Sequence, residues 1–312
     1  MANPVRKKTW IKVVGFTLLG LCGVALITVL ALAGFFLIAN RTNGSLISSG
    51  EKRTYLIHVP DSYDPQTPTP LVISFHGYME WPAHQARISQ WNDLADEEGF
   101  IVVYPSGTDF PKRWRTTGLT KVNGTPEMDV QFISELIDTL ESEYNIDPSQ
   151  IFANGLSNGG GMSYLLACKM ADRIAAIGSV AGAYTFPIEQ CEPSRPVPLI
   201  AFHGNADPVV PYMGGPSRSF DIPFPIVPDW MAGWAQRNQC TTTTSLPQTG
   251  EVSGVVYSNC LQNADVIFYT IDGGGHSWPG GHPLPEWIVG ITSQDIDATR
   301  VMWQFFEQHP LK

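Results

Sequence analysis

Four glycines crowd a single serine in "IFANGLSNGGGMSYLLACKMAD", Ile151 to Asp172. "IFANGL" reads as a strand and "MSYLLACKMAD" as a helix, so the chain must reverse within a few residues. Glycine inside an element costs roughly 0.5–1 kcal/mol against alanine. Four together imply a turn too tight for side chains beside Ser157. Gly155-Leu156-Ser157-Asn158-Gly159 fits G-x-S-x-G, and a strand before it with a helix after it is the setting that presents a serine hydroxyl at the C-terminal edge of a parallel sheet. The helix N-terminus there favours negative charge.

Other segments extend that sheet. "TYLIHV" (54–59), "LVISFH" (71–76), "PLIAFHG" (198–204), "AAIGSVAG" (175–182) and "VIFYTID" (266–272) read as strands. "FIVVYP" (100–105) is apolar throughout, as a strand buried on both faces should be. Between them, Val130, Ile133, Leu136, Ile137, Leu140 and Tyr144 recur at helical spacing, and so do Ile88, Trp91, Leu94 and Ala95. A closing helix is expected over 296–307. The pattern is α/β, with a mostly parallel central sheet and helices on both faces. The stretch from Pro211 to Pro228 has no periodicity and is a candidate lid or cleft wall.

A serine hydroxyl becomes a nucleophile only when a base takes its proton, and a histidine held by a buried carboxylate is the usual base. Two later strands end at the same sheet edge and deliver such groups, Asp207 in "FHGNADPVVPY" and His276 in "IDGGGHSWPGG". Asp272 is the rival carboxylate, but it precedes the glycines and lies nearer the strand. His282 and His309 lack a strand before them, and His203 reads as a structural hydrogen-bonding residue. Two backbone amides must also meet the developing oxyanion. Asn158, after the serine, supplies one. Tyr78, in "SFHGYMEW", supplies the other, with Gly77 as the fallback. Trp114, Trp278 and Trp287 are candidate walls of the acyl pocket.

The blocks "PLVISFHGY", "NGLSNGGGMSYLLACKMADRIAAIGSVAGAY", "FHGNADPVVPY" and "IDGGGHSWPGG" resemble the polyhydroxybutyrate depolymerase and feruloyl esterase group of α/β-hydrolases. The resemblance runs over roughly residues 51–307. It implies the α/β-hydrolase fold, a triad of Ser157, Asp207 and His276, and hydrolysis of hydroxyalkanoate or hydroxycinnamoyl esters through an acyl-enzyme. It calls for no metal and no cofactor. No polymer-binding module accompanies it, so short or oligomeric esters are the expected substrates. A serine peptidase of prolyl-oligopeptidase type shares the fold and the triad order, but its large gating domain has no counterpart here. A non-catalytic surface binding protein is the reading from another class, and it leaves the triad without a purpose.

The N-terminus sets the compartment. Arg6, Lys7, Lys8 and Lys12 precede 27 uncharged residues, Val13 to Ala39. As a helix that run would reach roughly 40 Å, more than a bilayer core requires. It exceeds the apolar region of a secretory signal, although "ALA" at 31–33 mimics a cleavage site and leaves a secreted form as the alternative. The expected organisation is a cytoplasmic basic segment (1–12), a transmembrane helix (13–39), a linker (40–50) and an extracytoplasmic catalytic domain (51–312). Setting those four cations aside leaves 15 basic against 29 acidic residues, a balance of −14 that excludes nucleic acid as a partner. Outside the apolar run stand Cys168, Cys191, Cys240 and Cys260, an even number suited to an oxidising compartment. Three pairings are open. The sequence-local one, Cys168–Cys191 with Cys240–Cys260, is expected, and a buried free thiol at Cys168 is the alternative.

Overall fold

The computed structural model describes residues 28–29, 34, 41–116, 123–217, 220 and 222–312. The expected basic segment and nearly all of the expected transmembrane helix lie outside the described residues. Among the described residues no helix is long and apolar enough to cross a membrane.

Residues Thr42–Lys312 form one compact unit around a ten-stranded sheet. The strands are β1 (Gly44–Ser48), β2 (Glu51–His58), β3 (Thr69–Phe75), β4 (Ile101–Pro105), β5 (Ile146–Leu156), β6 (Ala176–Val180), β7 (Leu199–Gly204), β8 (Thr242–Thr249), β9 (Val252–Ser258) and β10 (Val266–Ile271). Their spatial order is β1-β2-β4-β3-β5-β6-β7-β10-β9-β8. The six strands from β4 to β10 in that order are parallel. β2 joins β4 antiparallel, and the β1–β2 and β9–β8 pairs close the two edges antiparallel. One edge strand, β8, carries Pro247, and its register slips between Leu246 and Thr249.

Strand side chains alternate between two cores, as a period of two requires. Leu71, Ile73 and Phe75 face one layer and Val72 the other; Ile101 and Val103 likewise oppose Val102 and Tyr104. On the first face lie α3 (Pro126–Glu143), α4 (Asn158–Lys169) and α5 (Val227–Arg237). On the second lie α1 (Pro82–Ser89), α2 (Trp91–Glu98) and α7 (Ala298–Glu307). A one-turn helix, α6 (Glu286–Val289), precedes α7. Helices on both faces of a mostly parallel sheet agree with the expected class.

Two local expectations change. Gly44–Ser48, read as linker, pairs with β2 as β1, so the ordered domain begins before residue 51. The helical pattern from Ile88 to Ala95 is broken at Gln90, whose left-handed φ of 56° separates α1 from α2 while keeping Ile88, Trp91 and Leu94 buried together. The β8–β9 hairpin had no reading of its own. Both disulfides take the sequence-local pairing, Cys168–Cys191 and Cys240–Cys260.

Candidate active site

Ser157 sits between β5 and α4 with φ 57° and ψ −118°, outside the regions an L-residue ordinarily occupies. The fold holds it there. Its N–H donates to the Val180 carbonyl (2.9 Å), and its own carbonyl accepts from Gly161 (3.0 Å) and Ala183 (2.9 Å). The flanking glycines are steric necessities. A Cβ on Gly155 would lie 2.5 Å from the carbonyl carbon of Gly159, and one on Gly159 would strike the Phe75 carbonyl oxygen. Such strain persists only where the surroundings over-determine it.

Asp207 follows β7 and His276 follows β10. The two meet over the same sheet edge, where His276 Nδ1 donates to Asp207 Oδ2 at 2.7 Å. The other carboxylate oxygen accepts from the amides of Val209 (2.7 Å) and Val210 (2.8 Å), so Asp207 is fixed on both sides. Burial favours the protonated acid, but the charge and hydrogen bond of His276, then His203 and the Val210 amide, outweigh it. The carboxyl is held below the usual range. Burial likewise opposes the imidazolium of His276. Asp207 and, after it, Glu80 overcome that penalty and hold the histidine above its ordinary value of 6.5.

Ser157 and His276 both line a cleft of about 750 Å³. Its apolar walls come from Tyr78, Phe220, Val209, Leu284 and Ile288; Glu80 and His84 supply the polar side. Phe220, from the aperiodic 211–228 stretch, is part of the cleft wall. Its ring meets that of Tyr78 edge-on at 5.5 Å.

The loop after β3 is tied down bond by bond. His76 is buried, and burial drives it to about 4. As the neutral ring, its Nδ1–H donates to the Gly77 carbonyl (2.8 Å) and its Nε2 accepts the Gly107 amide (2.9 Å). The Gly77 N–H is spent on Glu80 Oε2 at 2.9 Å, which removes the fallback donor. The Met79 N–H donates to Lys112 O and the Glu80 N–H to Gly77 O. Among the described residues the Tyr78 N–H and the Asn158 N–H have no protein partner. Asn158 contributes its side chain elsewhere: Oδ1 accepts the Trp114 amide (2.7 Å) and Nδ2 donates to Thr116 Oγ1 (2.7 Å).

The tryptophan expectations fare differently. Trp114 is buried behind the loop, with Nε1 donating to the His76 carbonyl (2.9 Å). Trp278 is buried in the second core, bonded to Thr299 Oγ1 (2.8 Å). Neither lines the cleft, because each ring finds its place in packing. Trp287 on α6 is 81% exposed, beside the cleft residue Ile288. The rival Asp272 is engaged elsewhere, accepting from Asn205 Nδ2 (2.8 Å), while His203 Nε2 donates to the Val210 carbonyl (2.9 Å) and lies 3.4 Å from Asp207 Oδ2, a supporting place beside the carboxylate. His282 and His309 bond to the carbonyls of Pro283 and Phe305. Glu80 and His84 were not anticipated. The one sequence signal was an acid three residues after Gly77, at the spacing of a turn.

With that geometry in place, comparison with known proteins is decisive. The family model Esterase, described as "Putative esterase", matches residues 47–259. The chain belongs to the esterase family. It is 31% identical to feruloyl esterase C of Emericella nidulans over 85% of this chain and 87% of that one. It is 32% identical to feruloyl esterase B of Piromyces equi over 72% of this chain, spanning 42% of that longer protein. Among solved structures, an acetyl xylan esterase from Aspergillus awamori shares the fold, with a TM-score of 0.54, 16% identity and coverage of 86% and 95%. These relatives identify the feruloyl esterase group of the α/β-hydrolase superfamily. The protein is accordingly a carboxylic ester hydrolase, and the peptidase and binding-protein readings fall away.

Proposed function

We propose that this esterase cleaves hydroxycinnamoyl esters through an acyl-enzyme on Ser157. The observation that carries the reading is the 2.7 Å bond from His276 to a doubly anchored Asp207, with His276 and Ser157 facing one cleft. His276 takes the hydroxyl proton as Ser157 Oγ attacks the ester carbonyl. The negative charge that develops on the carbonyl oxygen is met by the amides of Tyr78 and Asn158. The C–O bond to the alcohol breaks, and His276 returns the proton to the leaving oxygen. Water then repeats the sequence on the acyl-enzyme and releases the carboxylic acid.

The substrate class draws on two supports. Tyr78, Phe220 and Ile288 wall the cleft with apolar surface suited to a flat aryl acyl group, and the relatives named above are feruloyl and acetyl xylan esterases. Short hydroxyalkanoate esters are the second reading. The test is a panel of acetyl, butyryl, 3-hydroxybutyryl and feruloyl esters with wild type and Ser157→Ala. Feruloyl esters should lead in kcat/KM by about tenfold or more, and S157A should retain on the order of a thousandth of the rate or less, without labelling by a fluorophosphonate. A leading 3-hydroxybutyryl ester moves the substrate class; an active S157A removes the nucleophile.

The location is also a proposal. The uncharged run from Val13 to Ala39, behind four cations, supports an N-terminal anchor with the catalytic domain outside the cell, and two disulfides support an oxidising compartment.

A further inference from the structure

Four amides run along the loop from Gly77 to Glu80, and one carboxylate decides how they are used. Glu80 Oε2 accepts the Gly77 N–H at 2.9 Å, while the Glu80 N–H donates back to the Gly77 carbonyl at 3.3 Å. The Met79 N–H is held by Lys112 O (2.9 Å). Met79 takes a left-handed φ of 64°, a conformation uncommon for a methionine. Only the Tyr78 N–H in this loop is without a partner among the described residues. The side chain that organises the turn is also a charge on the cleft wall, in the lining that holds Ser157 and His276.

We propose that Glu80 is a positioning residue of the esterase reaction, whose carboxylate locks the Gly77–Glu80 turn so that the Tyr78 amide is left for the oxyanion, and whose charge supports the His276 imidazolium across the cleft. The inference rests on the proposed roles of Ser157, His276 and Tyr78.

The surroundings fit a carboxylate that stays ionised. Burial opposes its charge, but the facing His84, the Gly77 amide and His76 outweigh burial and keep Glu80 below its ordinary value. His84 Nδ1 lies 3.6 Å from Glu80 Oε1. Arg87, on the same helix, opposes the charge of His84. His276 is bonded to Asp207 and shares the cleft lining with Glu80, and both acids favour its protonated form, while His203, 3.4 Å from Asp207, opposes it. A neutral hydrogen-bond acceptor at position 80 could hold the turn but could not supply this field. The two roles are therefore separable by substitution.

The experiment measures kcat, KM and the pH profile of kcat/KM for wild type, Glu80→Gln and Glu80→Ala. Melting temperatures and fluorophosphonate labelling of Ser157 serve as independent checks on folding. E80A loses both functions, so kcat should fall on the order of ten- to a hundredfold, part of the 10²–10³ that one oxyanion donor is worth. KM should change little, because the donor acts on charge that exists only in the transition state. E80Q retains an acceptor for Gly77 and should recover most of that loss. In both variants the acid limb of the profile should move to lower pH, because His276 loses a stabilising negative charge and stays neutral further into acid. A purely structural role would not move that limb. The proposal is overturned if the acid limb stays put in folded E80Q, or if E80A raises KM with kcat intact. An active S157A would overturn the nucleophile assignment instead, so the two failures are distinguishable.

Discussion

At the residue scale the site depends on charge arranged around one imidazole. Asp207 and Glu80 both favour the protonated ring of His276 and more than offset the cost of its burial. In the proposed mechanism the free base of His276 is the active form, so activity should fall as pH drops through the raised value. The acid limb of kcat/KM should consequently lie above 6.5, and Asp207→Asn should move it down while lowering kcat on the order of 10³–10⁴-fold. A wild-type limb below 6.5, measured with a neutral ester, would contradict the arrangement of acids described above. The placement of Ser157, Asp207 and His276 beyond the ends of β5, β7 and β10 was legible in the chain because a strand end or a glycine turn has a fixed geometric meaning, and the proposed roles of Tyr78 and Asn158 draw on the same signal. The aromatic wall was not. A tryptophan in a loop has the same sequence signature whether it packs, as Trp114 and Trp278 do, or stands in solvent like Trp287.

At the element scale, the Trp114–Thr116 segment is carried by a buried ionic cluster. Asp129 on α3 is fully buried and accepts from Arg53 Nη1 (2.8 Å), Arg115 Nη1 (3.0 Å) and the Arg115 amide (2.7 Å). Arg115 continues to Glu51 at 2.8 Å. This cluster fixes the Trp114–Thr116 segment, which in turn holds the side chain of Asn158 beside Ser157. Removing Asp129 takes away the one buried carboxylate that both guanidinium groups share, leaving Arg53 with Ser106 O (3.3 Å) and a distant Glu51 (4.0 Å), and Arg115 with Glu51 alone as its acid. Asp129→Ala should cost about 3–5 kcal/mol in denaturant unfolding and lower kcat through Asn158. A variant as stable as wild type would show that the cluster does not support the loop. The central strands and α3 were readable because both obey simple apolar periods. β1, β8 and β9 were not: β1 and β8 are edge strands, and all three leave most of their residues exposed or half-buried, too little burial to leave an apolar period.

At the scale of the whole molecule, the two disulfides close short loops, with separations of 23 and 20 residues. Each is worth about 3 kcal/mol on a chain-entropy account. One ties the end of α4 to the segment after β6, and the other ties the end of α5 to the end of the β8–β9 hairpin. Such a domain suits an oxidising milieu, and the apolar N-terminal run suits retention at its boundary. The full-length chain should remain in the membrane pellet after an alkaline carbonate wash, with its esterase activity accessible from outside intact cells. Activity released in full by the wash would count for a cleaved, secreted form.

Among the described residues the outer flank of β8 pairs with no other strand. An exposed ladder of amides and carbonyls invites a neighbouring copy to add on and propagate a fibre. The ring of Pro247 deletes one rung, and the slip of register beside it bends the remaining ones out of line. Copies that meet edge to edge at β8 can thus separate again.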